Sequence, residues 1–394
     1  MPSDELKVFS GLVATPRVDR SLDLGKKVFG VDATGKIVFF EDVSFLSELR
    51  ALETPYEYEP ACHSKAERNE LWIPGLIDTH THAPQYPNLG LGLDLPLLPW
   101  LEKYTFPLEA KFADSAFAAE VYPVVVGQLL RSGTTTAAYH ATIHQEATRT
   151  LFSTCQRMGQ RAVVGKVSMT RNGALGYQET PEESFRCAEE FVNWAMDQAK
   201  SNDLVLPSVT PRFAVTSYAD CLLKLGEIAN RYKCHVQTHI SENKKEVEVV
   251  KEAFKSKNYT EVGLCDVKRL LQAGVKVGLG TDMSGGFSHS MFDAMRQAVE
   301  ASKILCVLQS DPHPLSTEDA FFLATMGSAQ VLKMEDKIGS LAVGRQFDAC
   351  LMTSFSKISE HLEADLDMFN HIFYTADDRN VKKVFVDGKL VVGH

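Results

Sequence analysis

The chain has 394 residues, 44% hydrophobic and 23% charged, with a formal net charge of −10. That is an ordinary soluble composition with apolar material for a large core in two or three domains. The acidic balance argues against nucleic acid or an anionic membrane as the main partner, and no apolar run of about 18 residues offers a spanning helix. Residues 1–5 are acidic and lack a positive n-region, so no secretory signal is expected. Eight cysteines without a CxxC pair read as reduced thiols of the cytoplasm.

The N-terminal part reads as short strands at 8–13, 26–31 and 36–40, the last two separated by the turn signal DATG at 32–35. A polar loop is expected at 54–69. An apolar run, 71–73 then 76–77, leads into PGLIDTHTH at 74–82. Candidate strands follow at 134–139, 161–167, 204–210, 235–239 and 275–280. Between them lie helical patterns at 181–200, 218–232, 242–254 and 266–273. Strand–helix alternation predicts a parallel sheet with helices outside it, a barrel or a doubly wound sheet. No GxGxxG or P-loop follows any strand, which disfavours the nucleotide-binding versions. The C-terminus returns to strands at 344–352 and 381–392, around an Asp387–Gly388 hairpin turn. The expected organisation is one small β domain built from both ends, 1–73 and 340–394, around a barrel domain at 74–339.

Polar residues gather at the C-terminal ends of the candidate strands. His80 and His82 end the first, and as residues i and i+2 of a strand they project from one face. Arg212 follows a later strand, His239 ends another and Asp282 ends the last. In a parallel barrel those ends share one mouth, where active sites lie. Three histidines and an aspartate suit zinc or a similar divalent ion, and Glu242, three residues after His239, is placed to shuttle a proton. Taken singly, each residue has a plainer reading. The HxH pair serves equally as strand-end histidines, His239 as a packed strand residue, Asp282 as a helix cap and Glu242 as a solvated carboxylate. Their joint order along the strands favours the metal site. His140 and His144 either line the mouth or satisfy backbone groups, and His289 is expected on a loop. No GxSxG or Cys–His spacing suggests a nucleophile.

Several stretches together resemble guanine deaminases of the amidohydrolase superfamily: PGLIDTHTHAPQYP at 74–87, LDLPLLPWL at 93–101, YTFP at 104–107, TPRF at 210–213, THISEN at 238–243 and GLGTDMSGG at 278–286. The resemblance spans nearly the whole chain. It implies an α/β fold: a metal-dependent hydrolase TIM-like (β/α) barrel, plus a small β-sandwich domain from both termini. It implies one zinc ion per chain on His80, His82, His239 and Asp282. Gln85, Arg212 and Phe213 would contact the purine together with His82, His239 and Glu242, while Glu242 and Asp282 move protons. The implied reaction is hydrolysis of guanine to xanthine and ammonia, by a cytoplasmic homodimer. One departure stands out. Only 40 residues separate Glu242 from Asp282, and no histidine lies between His239 and His289. Three barrel units need roughly 90 residues, so about 50 residues, one to two βα units, are expected to be missing. The competing expectation is therefore a catalytically poor relative with a binding or structural role. A deaminase or chlorohydrolase for another heterocycle fits the TPRF stretch less well.

Overall fold

A computed structural model describes residues 6–43, 63–242, 244–254, 264–309, 313–354, 362 and 364–393. Part of the polar loop expected at 54–69, namely 54–62, lies outside the described residues, as does Asn243.

Both chain ends build one eight-stranded sheet. It contains β1 (Lys7–Pro16), β2 (Leu22–Val31), β3 (Ile37–Asp42), β4 (His63–Lys65), β5 (Glu70–Pro74), and, from the C-terminal side, β11 (Ala349–Thr353), β12 (Val381–Val386) and β13 (Lys389–Gly393). The order is β13-β12-β11-β5-β1-β2-β3, with β4 also on β1. Strands β12 and β1 are three places apart, about 14 Å in a flat sheet. Yet the Phe385 and Phe9 rings lie 5.5 Å apart. The sheet therefore curls over an aromatic cluster of Phe9, Phe29, Trp72, Phe347 and Phe385. Its two extreme hairpins meet: Phe347 N–H donates to the Gly35 carbonyl, and Gly388 N–H donates to the Phe347 carbonyl. Gly35 and Gly388 both have positive φ, and a Cβ on either would strike the other turn, so the contact requires glycine at both.

A five-stranded parallel sheet carries the middle of the chain, in the order β10-β9-β8-β7-β6. These strands are β6 (Leu76–His82), β7 (Thr134–His140), β8 (Arg161–Ser168), β9 (Val205–Pro211) and β10 (His235–Val236). Alternation along them separates two faces. Ala137, Tyr139, Ala162, Val164 and Val209 face outward into a core with the helices Ser115–Arg131, Gln145–Met158, Pro181–Ala199 and Ala219–Tyr232. Ile77, Ala138 and Val163 face inward and pack on Ala329, Leu332, Met334 and Ile338. Each helix starts or stops for a local reason. Thr180 and Glu183 form a capping box before Pro181, and Gly159, left-handed at φ 75°, ends Gln145–Met158.

The sheet is a curled half-barrel whose far side is irregular. The strand expected at 235–239 is regular only at β10, although Gln237 N–H and His239 N–H still donate to the carbonyls of Val209 and Arg212. Two helices, Lys244–Phe254 and Val267–Gln272, follow directly. The strand expected at 275–280 does not form. Only from Leu279 does that segment meet β6, where Thr79 N–H donates to the Leu279 carbonyl, Asp282 N–H to His80 and His82 N–H to Met283. Among the described residues no backbone hydrogen bond joins it to β10. A strand with one neighbour that begins halfway along has no ladder to regularise its first half.

Candidate active site

An irregularity in β6 between Asp78 and Thr81 brings His80 and His82, as i and i+2, to the inner face, and Asp78 just before it has a separate task. Asp78 is fully buried and ties the two sides of the mouth together. It accepts from His80 N–H at 3.1 Å, Thr281 N–H at 3.0 Å and the Thr281 hydroxyl at 2.6 Å. Burial pushes its carboxyl up to about 6, against those three donors. Gly280 makes this approach possible, because a Cβ there would fall 2.8 Å from the His80 backbone nitrogen. Asp282 follows in the left-handed region at φ 47°, held by its N–H to His80 O at 2.8 Å and by Gly286 N–H to its own carbonyl at 2.6 Å.

His80, His82, His239 and Asp282 thereby converge, their donor atoms all within 4.8 Å of one another. His82 Nε2 lies 2.9 Å from His239 Nε2 and 3.4 Å from Asp282 Oδ1, and His80 Nε2 lies 3.2 Å from the same oxygen. Four donors around a zinc ion at about 2.0–2.1 Å stand about 3.3 Å apart, so this spacing fits. His239 Nδ1–H donates to the Arg212 carbonyl at 2.6 Å, which turns the Nε2 lone pair toward the other donors. Burial and the neighbouring imidazoles hold His82 well below the usual histidine range, and burial with His80 pushes His239 down to about 3. Neutral imidazoles are the form that binds metal. The donor set fits zinc.

A cavity opens beside these donors, lined by Gln85, Trp100, Arg212, Phe213 and Glu242. Gln85 sits in the 3-10 helix Ala83–Asn88 directly after β6, and Arg212 directly after β9. One carboxylate fixes both. Glu109, fully buried on the helix Phe106–Ala110, accepts from Gln85 Nε2 at 2.8 Å and from Arg212 Nη1 at 2.6 Å. The Arg212 guanidinium also lies 5.0 Å over the Phe106 ring. Glu242 Oε1 stands 4.0 Å from His239 Nε2. Its turn is held by Glu246, which accepts from Ser241 N–H at 3.0 Å and Glu242 N–H at 2.6 Å. Burial, then Asp282 and Glu246, push the Glu242 carboxyl up to about 7.

A model of the amidohydrolase family matches residues 71–262 and 255–391. The guanine deaminase of Homo sapiens is 37% identical over 426 residues, taking in 93% of this chain and 92% of that protein. That of Dictyostelium discoideum is 35% identical over 450 residues, with 98% of each covered. The chain belongs to the guanine deaminases of the amidohydrolase family. The crystal structure of guanine deaminase from C. acetobutylicum, with guanine bound in its active site, aligns with a TM-score of 0.87 at 28% identity. It covers 98% of this chain and 100% of that one.

All the site residues expected from the sequence thus meet at one mouth of this amidohydrolase half-barrel. His144 and His289 do not join them. The first lies tilted against Tyr177, with ring centres 5.9 Å apart, and the second pairs with Gln128 at 3.1 Å. Sequence reasoning missed Asp78 and Glu109. Asp78 gave no usable signal, because β6 is irregular between it and Thr81 and simple alternation fails there. Glu109 had none beyond its place beside the YTFP stretch.

Proposed function

We propose that the protein hydrolyses guanine to xanthine and ammonia at this site. The observation that carries the reading is the juxtaposition of the four-donor zinc site with a pocket whose polar wall is an amide and a guanidinium. Zinc supplies an activated water at neutral pH when bound. Gln85 and Arg212, pinned by Glu109, present donors and an acceptor to the polar edge of a planar purine, and Phe213 covers its apolar face. Asp282 takes the proton of the attacking water at its free carboxylate oxygen. Glu242, a carboxyl that keeps its proton near neutrality, protonates the ring nitrogen beside C2. It then takes the proton left on the new C2 hydroxyl and passes it to the departing amino group, which leaves as ammonia, and the proton held by Asp282 restores the Glu242 carboxyl.

The reading includes a shortened barrel, lacking one to two βα units between 242 and 282. Two facts support it. The alignment to the human relative is longer than this chain, so gaps fall within it, and the family model matches in two pieces that meet at 255–262. Turnover is then expected below that of a complete barrel, because His239 and Asp282 stand on the unladdered side. The proposal extends to a cytosolic homodimer. The seven described cysteines are free, and no described helix is long and apolar enough to cross a membrane. Ammonia release from guanine, adenine and cytosine, measured with zinc content, tests the activity, and sedimentation tests the dimer. Guanine-selective release with one zinc per chain is expected. Zinc-loaded protein without turnover would favour the binding role, and faster release from another heterocycle would overturn the substrate.

A further inference from the structure

Resting on the zinc reading above, we infer that His140 is a further ligand of the metal centre, a fourth imidazole supplied by β7. Its place follows from register. His140 pairs with His82 across the β6–β7 ladder, so the two side chains share the inner face. On its other side it pairs with Gly165, which has no side chain to compete for that face. The ring centre of His140 lies 4.7 Å from those of His80 and His82 and 4.6 Å from that of His239. It touches every histidine of the site.

Its hydrogen bonding is the deciding observation. His140 is completely buried, and neither Nδ1 nor Nε2 has a hydrogen-bond partner. A buried imidazole carries one donor and one acceptor, and leaving both unmatched is costly. Close by, Gln237 Nε2 donates to the Tyr139 carbonyl and Tyr139 Oη donates to Gln160, whereas Gln237 Oε1 and His82 Nδ1 each lack a partner, so what sets His140 apart is that both of its nitrogens do. A residue kept for packing alone at this spot would be better as phenylalanine. What an imidazole gains here is a lone pair directed at a cation. The four donors that lie within 4.8 Å of one another would set the ion's position, and His140, just outside that group, would close on it from the β7 side, raising the number of protein donors from four to five.

The test compares the full-length wild type with His140→Phe and His140→Gln. Zinc affinity is read by competition with a chromophoric chelator, and coordination by the visible spectrum of the cobalt-substituted proteins. Zinc affinity is expected to fall at least ten-fold in both variants. Cobalt absorption should intensify, as it does when the coordination number falls. The metal-free His140→Phe protein should melt no lower than metal-free wild type, since an unmatched polar ring has been removed, while its zinc-induced rise in Tm shrinks. Zinc affinity within two-fold of wild type, with an unchanged cobalt spectrum, would overturn the inference. So would a lowered metal-free Tm with unchanged affinity, the mark of a packing role; should His140→Phe not fold, His140→Gln decides. Wild type that binds no zinc would instead refute the zinc reading itself.

Discussion

The two sides of the half-barrel differ in how they are held. Strands β7, β8 and β9 each have a strand on both sides and helices over their outer faces, while β6 pairs with β7 and meets the segment from Leu279 through individual hydrogen bonds. Beyond β9 the ladder thins to the two residues of β10, and outward-facing Val236 and Ile240 are 57% and 68% exposed, while Val209 on β9 is 2% exposed. The site is shared between these regimes. His80, His82, His140 and Arg212 stand on or next to regular strands, whereas His239, Glu242 and Asp282 stand on turns fixed by individual hydrogen bonds. Ordered ladders give position without ligand, and irregular segments need other contacts, here Asp78, Glu246 and the metal itself.

The sharpest break comes from removing one ligand on each side. His82→Ala and Asp282→Ala should each lower guanine turnover at least about 100-fold with loss of bound zinc. The comparison adds a difference: Asp282→Ala should also loosen 279–286, whereas the ladder around His82 should stay intact. Equal backbone protection of both regions in the two variants, read by amide exchange, would dissolve the distinction.

Next in size is Glu109→Ala, which acts on the ordered side. It leaves the Arg212 guanidinium, 3% exposed, buried without its partner. Removing one member of a buried pair costs about 3–5 kcal/mol. Denaturant unfolding should show that loss, and guanine KM should rise because Gln85 is released as well. A loss below about 1 kcal/mol would mean that water reaches Arg212.

This contrast also explains what the sequence disclosed. Strands β6 to β9 were legible because each is an apolar run ended by helical pattern, and period-2 alternation put His80 and His82 together. His239 and Asp282 were legible as residues at strand ends, yet the strand expected before Asp282 does not form, because among the described residues no backbone hydrogen bond joins that segment to β10. Glu109 was invisible for a different reason. Its burial depends on Gln85 and Arg212, 24 and 103 residues away, arriving at the same point, and no local pattern records that. His140 was seen but not placed, since only the register with His82 shows which way it faces.

A smaller effect is expected where the two sides are stitched together. Thr281→Val removes the hydroxyl that donates to Asp78 at 2.6 Å but keeps the shape and the backbone donor. Losing one hydrogen bond to a buried carboxylate costs about 1–3 kcal/mol. The diagnostic is where that cost falls. Asp78 is anchored in β6, so the ladder should keep its amide protection while residues 279–283 lose theirs, and zinc should restore part of it because binding favours the closed arrangement. Were zinc to protect β6 and 279–283 equally in the variant, the mouth would be behaving as one rigid unit. The idea that the metal organises the unladdered side would then be wrong.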